Sequence, residues 1–173
     1  MSTEKRLLVL GAGGLGGCVA EMAKDAGYEK IAFLDDSLRK GTYVLEYPVL
    51  GRVTEAPAFR MEYSCAIAAI GNNSGRLKLI QMLDNAGFEI PFLIHKTAYV
   101  SPSAQIGKGC IIRAHAAVEQ RTRLEEGCLI NMGALIDHDC VIGQGSHVHM
   151  GCVVRNASRI DSMSVLEPNQ VVQ

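Results

Sequence analysis

The chain has 173 residues, a formal net charge of −1 and 20% charged residues, so no excess of one sign recruits nucleic acid or an anionic membrane surface. Its apolar runs are far shorter than the ~20 residues that a membrane-crossing helix needs, and its length suits one ordinary domain or two small ones. Six cysteines match no CxxC or Cys/His ligand spacing; the expectation is reduced thiols packed as small hydrophobes, and no metal.

The first element is a buried strand over Arg6–Leu10 (RLLVL). Charge followed by a short apolar run resembles a signal peptide only weakly, and the run passes into glycines with no A-x-A-like cleavage site; a cytoplasmic location is expected. A helix follows over residues 16–26, closed by Gly27. Further strands fall at Lys30–Leu34 and residues 65–70. A helix over residues 76–86 is closed by Gly87, and residues 90–94 (IPFLI) read as another strand. Strands alternating with helices imply a parallel sheet. Between the first strand and helix, Gly11-Ala12-Gly13-Gly14-Leu15-Gly16 fits GxGxxG, the turn that brings backbone amides close to a phosphate at a helix N-terminus. Asp35 and Asp36 follow the second strand, where a ribose hydroxyl would be met. Only about 95 residues precede the next region, too few for the two halves of a dinucleotide fold, which favours a single nucleotide or nucleotide-sugar over NAD. Gly71-Asn72-Asn73 follows the third strand and so belongs to the same carboxyl edge. Arg76 is either a phosphate contact or an ordinary surface arginine.

From Val100 the period changes to six. Aliphatic residues occupy every sixth position through Leu166, and four residues after each comes a small one, such as Ala104, Cys110, Thr122 or Ser146, with Gln170 as the exception. Unbroken register of this kind is the signature of a repeat architecture. Three faces of six residues make an eighteen-residue coil whose interior takes the aliphatic side chains, and twelve hexapeptides make about four coils. Handedness does not follow from spacing. Cys110, Cys128, Cys140 and Cys152 share this period, which marks them as core. Among the five histidines, His95 reads as structural, and His115, His147 and His149 as polar residues of the coils facing solvent. His138 is set apart by Asp137 and Asp139: with Ile136 pointing inward, all three fall at an exposed corner, and a carboxylate beside an imidazole equips it as a general base. A solvated acidic corner is the plain alternative.

Taken together, the glycine loop, Phe33-Leu34-Asp35-Asp36, Ala69-Ile70-Gly71-Asn72-Asn73, Leu93-Ile94-His95-Lys96, Ser101-Pro102-Ser103-Ala104, Asn131, Ile136-Asp137-His138-Asp139 and Ser146-His147-Val148 resemble the bacterial sugar O/N-acyltransferases of the NeuD and PglD type. The resemblance implies an α/β, Rossmann-like nucleotide-sugar-binding domain over residues 1–95 and a left-handed parallel β-helix acyltransferase domain over residues 96–173. It implies a homotrimer with acetyl-CoA between neighbouring prisms, and a substrate contacted by Gly11, Gly13, Gly14, Asp35, Asp36, Gly71, Asn72 and Asn73. His138 would be the general base, Asp139 its orienting acid, and Asn131 a neighbour in the active site; His147, Gly151 and the amide of Asn156 would meet the coenzyme. Leu15 replaces a histidine common in that family, Asn156 replaces a glycine, and the coils stop earlier than is usual. The expected activity is acetyl transfer from acetyl-CoA to an amine or hydroxyl of a nucleotide-activated sugar, or of sialic acid, in surface-glycan synthesis. The alternatives are a nucleotide-sugar-binding protein that has lost catalysis and, supported by the glycine loop alone, an NAD-dependent oxidoreductase.

Overall fold

The computed structural model describes residues 4–173, which divide into two compact units, residues 4–91 and 92–173. In the first unit, β1 (Arg6–Leu10) lies between β2 (Lys30–Leu34) and β5 (Cys65–Ala68), parallel to both. β3 (Tyr43–Val44) and β4 (Tyr47–Gly51) extend the sheet on the β2 side, giving the order β3-β4-β2-β1-β5. All but the first residue of β1 and β2, and all of β5, are buried, the continuous apolar run expected of strands covered on both faces. Helices α1 (Gly14–Asp25) and α2 (Asn73–Asn85) begin two and three residues earlier than the hydrophobic pattern suggests, because glycine and asparagine carry the first turn and leave no apolar mark. The β3–β4 hairpin and the 3-10 helix Val53–Phe59 were not visible in the pattern; short two-sided segments lack a period.

Residues 90–94 do not form a strand of this sheet. Only Leu93–Ile94 is extended, and it pairs in parallel with Ile111–Ile112 in the second unit. The repeat therefore starts one rung before Val100. It also runs one rung past Leu166, to Val171–Val172. Fourteen two-residue strands, each six residues after the last, stack into three parallel sheets of five, four and five strands, between four and five coils rather than four. The second residue of each strand points into the prism, where Ile112, Val118, Ile130, Ile142, Val148 and their counterparts form one core.

Two regularities explain the rest of the hexapeptide. From Ile106 to Leu166, the third residue after each inward aliphatic takes the left-handed conformation, at His115, Arg121, Gly127, Gly133, Asp139, Gly145, Gly151 and Ala157 among others. This turns each corner, at a steric cost for the non-glycine residues. At several rungs the small residue that follows is a thiol or hydroxyl that covers a carbonyl of the next coil; Ser158 Oγ has no such partner among the described residues. Cys110 Sγ donates to Glu125 O at 3.0 Å, Thr122 Oγ1 to Asp137 O at 2.8 Å, Cys140 Sγ to Arg155 O at 3.1 Å, Ser146 Oγ to Asp161 O at 2.9 Å and Cys152 Sγ to Glu167 O at 3.0 Å. A buried carbonyl without a donor is costly, and a thiol or hydroxyl is the smallest group that supplies one. Burial pushes the Cys140 and Cys152 thiols up, which keeps them protonated as donors. All six cysteines are free.

The outward residues give the three faces different characters. One presents Gln105, Arg123, Val141 and Arg159; another presents Tyr99, Ala117, Leu135, Val153 and Val171, with Tyr99, Leu135 and Val171 exposed.

Candidate functional site

In the first unit the carboxyl ends of β1, β2 and β5 converge on a crevice of about 430 Å³ lined by Gly11, Asp35, Asp36, Val53, Lys78 and Leu79, among others. Gly11 has φ +102, and a Cβ there would lie 2.6 Å from Ile70 Cγ2. A Cβ on Gly16 would fall on the Gly11 carbonyl oxygen, so these two glycines are required by the close passage of loop and helix. At Gly13 and Gly14 a Cβ would meet nothing. They border open space at the start of α1, whose cap carries no side-chain hydrogen bond and whose first turn carries no acidic residue. Unpartnered amides and a positive helix end favour an anion there.

The two aspartates differ. Asp35 Oδ2 accepts from the Ala12 amide at 2.8 Å, and Oδ1 accepts from the Ser37 amide and hydroxyl and from the Leu38 amide. Burial pushes its carboxyl up, but these donors, led by the Ser37 hydroxyl, outweigh that and hold it below the usual carboxylate range. Asp35 thus ties the glycine loop to the β2 turn. Asp36 is exposed, accepts one hydrogen bond, from the Val53 amide at 3.2 Å, and lines the crevice.

The third loop is held from within. Asn72 Oδ1 accepts from the Gly75 amide at 2.7 Å and caps α2. Arg76 is completely buried, and its guanidinium donates to the carbonyls of Ile70 and Gly71 and to Asn73 Oδ1. It is neither a surface arginine nor placed for a phosphate: it satisfies the carbonyls that the turn leaves without strand partners. The cation lining the crevice is Lys78, which the sequence reading missed. Gly75, Lys78 and Leu79 are spaced to share one helix face, a signal that was available.

In the second unit His138 occupies a coil corner, with its side chain 41% exposed. Nδ1 lies 2.6 Å from Asp139 Oδ2. The Asp137 carboxylate accepts from the His138 amide at 2.7 Å and lies 3.9 Å from Nε2. Asp139 is itself gripped by Arg121, Nε to Oδ1 at 2.7 Å and Nη2 to Oδ2 at 2.8 Å. The Arg121 guanidinium first, and then His138, hold its carboxyl well below the usual carboxylate range. Asp139 is therefore an anion at any working pH, and its left-handed φ of +60° is one that aspartate tolerates better than most residues.

Asn131 is buried. Its Oδ1 accepts from Arg113 Nη1 at 2.8 Å and from the Met132 amide, and its Nδ2 lies 3.4 Å from His147 Nε2. His147 does not face solvent: it sits on a strand, 8% exposed, with its ring stacked on His149 at 3.8 Å. Gly151 has φ +68, and a Cβ there would collide with Asn169 Oδ1. Asn156 is exposed; the Ala157 amide beside it donates to the His138 carbonyl at 3.0 Å, whereas the Asn156 amide has no partner among the described residues. Next to the His138 corner, Ala117, Glu119, Leu135, Asp137, Val153 and Arg155 line a shallow depression of about 310 Å³. Among the described residues no three His, Cys, Asp or Glu side chains are grouped to hold a metal ion, and no helix is long and apolar enough to cross a membrane.

Residues 6–83 match the PglD N-terminal domain family, and residues 121–156 match the bacterial transferase hexapeptide (six repeats). The acetyltransferase domain of PglB from Neisseria gonorrhoeae, solved in complex with acetyl coenzyme A, is 30% identical, with a TM-score of 0.86 over 98% of this chain and 93% of that one. PerB from Caulobacter crescentus, solved with CoA and GDP-perosamine, is 25% identical, with a TM-score of 0.77 over 99% of this chain and 93% of that one. WeeI from Acinetobacter baumannii, 19% identical with a TM-score of 0.59 over 97% and 94%, shares the fold. A small α/β unit with a glycine loop, joined to a left-handed hexapeptide prism and matched at this identity along nearly its whole length, places the chain in the NeuD- and PglD-like family of sugar acetyltransferases.

Proposed function

We propose that this chain transfers the acetyl group of acetyl-CoA to an amine or hydroxyl on the sugar of a nucleotide-activated sugar. The observation that carries the reading is the Asp139–His138 pair at an accessible prism corner, in a chain similar to proteins solved with acetyl-CoA and with CoA plus a GDP-sugar. With Nδ1–H donating to Asp139, the Nε2 lone pair of His138 is the one that takes a proton. The acceptor nitrogen or oxygen attacks the thioester carbonyl and gives its proton to Nε2. The carbon–sulfur bond then breaks, and the departing thiolate takes a proton to become free coenzyme A. The Asn156 amide is suited to the oxyanion, a contribution of about 3 kcal/mol per donor in comparable sites. The α1 N-terminus suits the diphosphate, Lys78 adds a positive charge, Asp36 meets a ribose or base donor, and Val53 and Leu79 give the base apolar walls. Asn131 serves the active site, and His147 and Gly151 meet the coenzyme.

The binding protein without catalysis has less to support it. PglB, which holds acetyl-CoA, is matched over 93% of its length, so the coils in hand span nearly all of that domain. The oxidoreductase reading leaves the His138 corner without a role.

The test is thiol release from acetyl-CoA with UDP-, GDP- and CMP-linked amino sugars as acceptors. Lys78→Ala and Asp36→Ala are each expected to raise the KM for the nucleotide-sugar about tenfold, the worth of one charged contact, with the KM for acetyl-CoA and the melting temperature unchanged. Unchanged sugar KM in both would remove the crevice from the reading.

We read the assembly as a homotrimer, because the exposed Tyr99, Leu135 and Val171 lie on one apolar prism face that gains from being covered. A light-scattering mass equal to one chain at micromolar concentration would refute it. Acetyl-CoA, nucleotide-sugars and six free thiols all suit the cytoplasm.

A further inference from the structure

Arg121 precedes Asp139 by one eighteen-residue coil and occupies the equivalent corner position. Both residues are left-handed, with φ +57 and +60. The backbone of each is anchored: the Arg121 amide donates to Ser103 Oγ at 3.2 Å, and the Asp139 amide to Gln120 O at 3.0 Å. Between these fixed points the guanidinium forks the carboxylate with two bonds of 2.7 and 2.8 Å. Asp139 Oδ2 receives one prong of the Arg121 fork, from Nη2, and also His138 Nδ1, so guanidinium, carboxylate and imidazole form one chain of contacts.

An ion pair this exposed, 56% and 40% by side chain, contributes little to stability. Its geometry has a sharper consequence. A lone aspartate on a solvated corner turns freely about its side-chain torsions. A two-pronged grip fixes the carboxylate plane as a single bond cannot, and that plane sets where the imidazole points. Arg121 reaches no reacting atom itself; everything it does passes through Asp139.

We infer that Arg121 is a positioning residue for acetyl transfer: its guanidinium holds the Asp139 carboxylate in the one orientation that keeps the His138 ring aimed for proton transfer. This inference rests on His138 being the general base, and the experiment separates the two. In the full chain, Arg121→Ala is expected to lower kcat about tenfold, a part of the 10²–10⁴-fold worth of a positioned base, with both KM values within about twofold. Millimolar guanidinium ion should restore much of the loss. Arg121→Lys should fall between, since it keeps the charge and loses the fork. Removing Arg121 in an Asp139→Ala background should cost less than about twofold, because residues that act as a unit are not additive. Wild-type kcat in Arg121→Ala, or an undiminished loss in the Asp139→Ala background, would overturn the inference and leave the acetyltransferase reading standing. Proton NMR gives a readout that does not need turnover: the His138 Nδ1–H resonance, identified by its absence in His138→Ala, should broaden in Arg121→Ala as its acceptor loosens. An inactive wild type showing that broadening would retain the positioning role and remove the proposed reaction; an unchanged resonance would remove the positioning role.

Discussion

Replacing His138 with alanine is expected to lower kcat by about 10²–10⁴-fold, the usual worth of a positioned general base, while leaving the melting temperature close to that of the wild type. The two halves of this expectation have separate physical grounds. The kinetic loss follows from the Nδ1 contact to Asp139 at 2.6 Å, which assigns the proton-accepting lone pair to Nε2. The small stability change follows from exposure: the side chain is 41% accessible, so its removal opens no cavity, and the inward residue of that rung is Ile136. Asp139→Asn should cost less than His138→Ala, because it weakens the orientation of the base without removing it. Circular dichroism and thiol release on the same preparations check both halves. A His138→Ala enzyme with wild-type turnover would end the assignment; one that fails to fold would show that the corner is structural.

Ile142→Ala is expected to destabilise the prism by about 2–5 kcal/mol, the range for truncating a buried isoleucine. Ile142 is fully buried and stacks in register between Leu124 and Ile160 of the coils on either side. The middle of the range is expected, because Arg123–Leu124 is tied by hydrogen bonds to a further coil and cannot close on the void, whereas Arg159–Ile160 ends its sheet and can move towards it. In a stacked array each rung also supports its neighbours, so the loss should appear as one lowered transition of the second unit. Val141→Ala, on the outward side of the same strand, should stay within about 0.5 kcal/mol. Denaturant melts of the two variants give the comparison, and a loss at Ile142 under about 1 kcal/mol would mean that the prism interior is looser than its burial implies.

The arrangement of the coils was legible because its cause is local and repeated. Every sixth residue must be aliphatic to fill a narrow interior, so the register, the inward set and the corner position of His138 could all be read from spacing. Continuous apolar runs placed β1, β2 and β5, and glycine spacing the turn after β1, ahead of the region that the six-residue rule governs. That rule misjudged the ends of the array, where Ile94 and Val172 extend the count by a rung each, because a single matching residue beside an irregular segment is no evidence of periodicity. Phe92, Leu93 and Ile94 were read with the first unit but belong to the second, whereas Ile90 is in the core of the first: a short apolar run states that it is buried but not against what.

Other features depended on groups that meet only after the chain has folded. Arg76 is an arginine in a helix to any sequence argument, and only the turn at Ile70–Gly71 creates the buried carbonyls that it satisfies. Asp35 and Asp36 are adjacent, chemically identical and both line the crevice, yet only Asp35 has its carboxylate tied to the glycine loop, because successive residues leaving β2 meet different neighbours. Nor does spacing say why cysteine, threonine and serine alternate with alanine in the repeat; that follows from a carbonyl of the next coil that only the stacked structure brings within reach. The sequence by itself determined what must be buried, since transfer of apolar side chains from water needs no partner identity. The tertiary structure alone decided which polar groups pair, because a hydrogen bond requires a particular donor at a particular distance and angle, and the chain supplies these from residues far apart in its length.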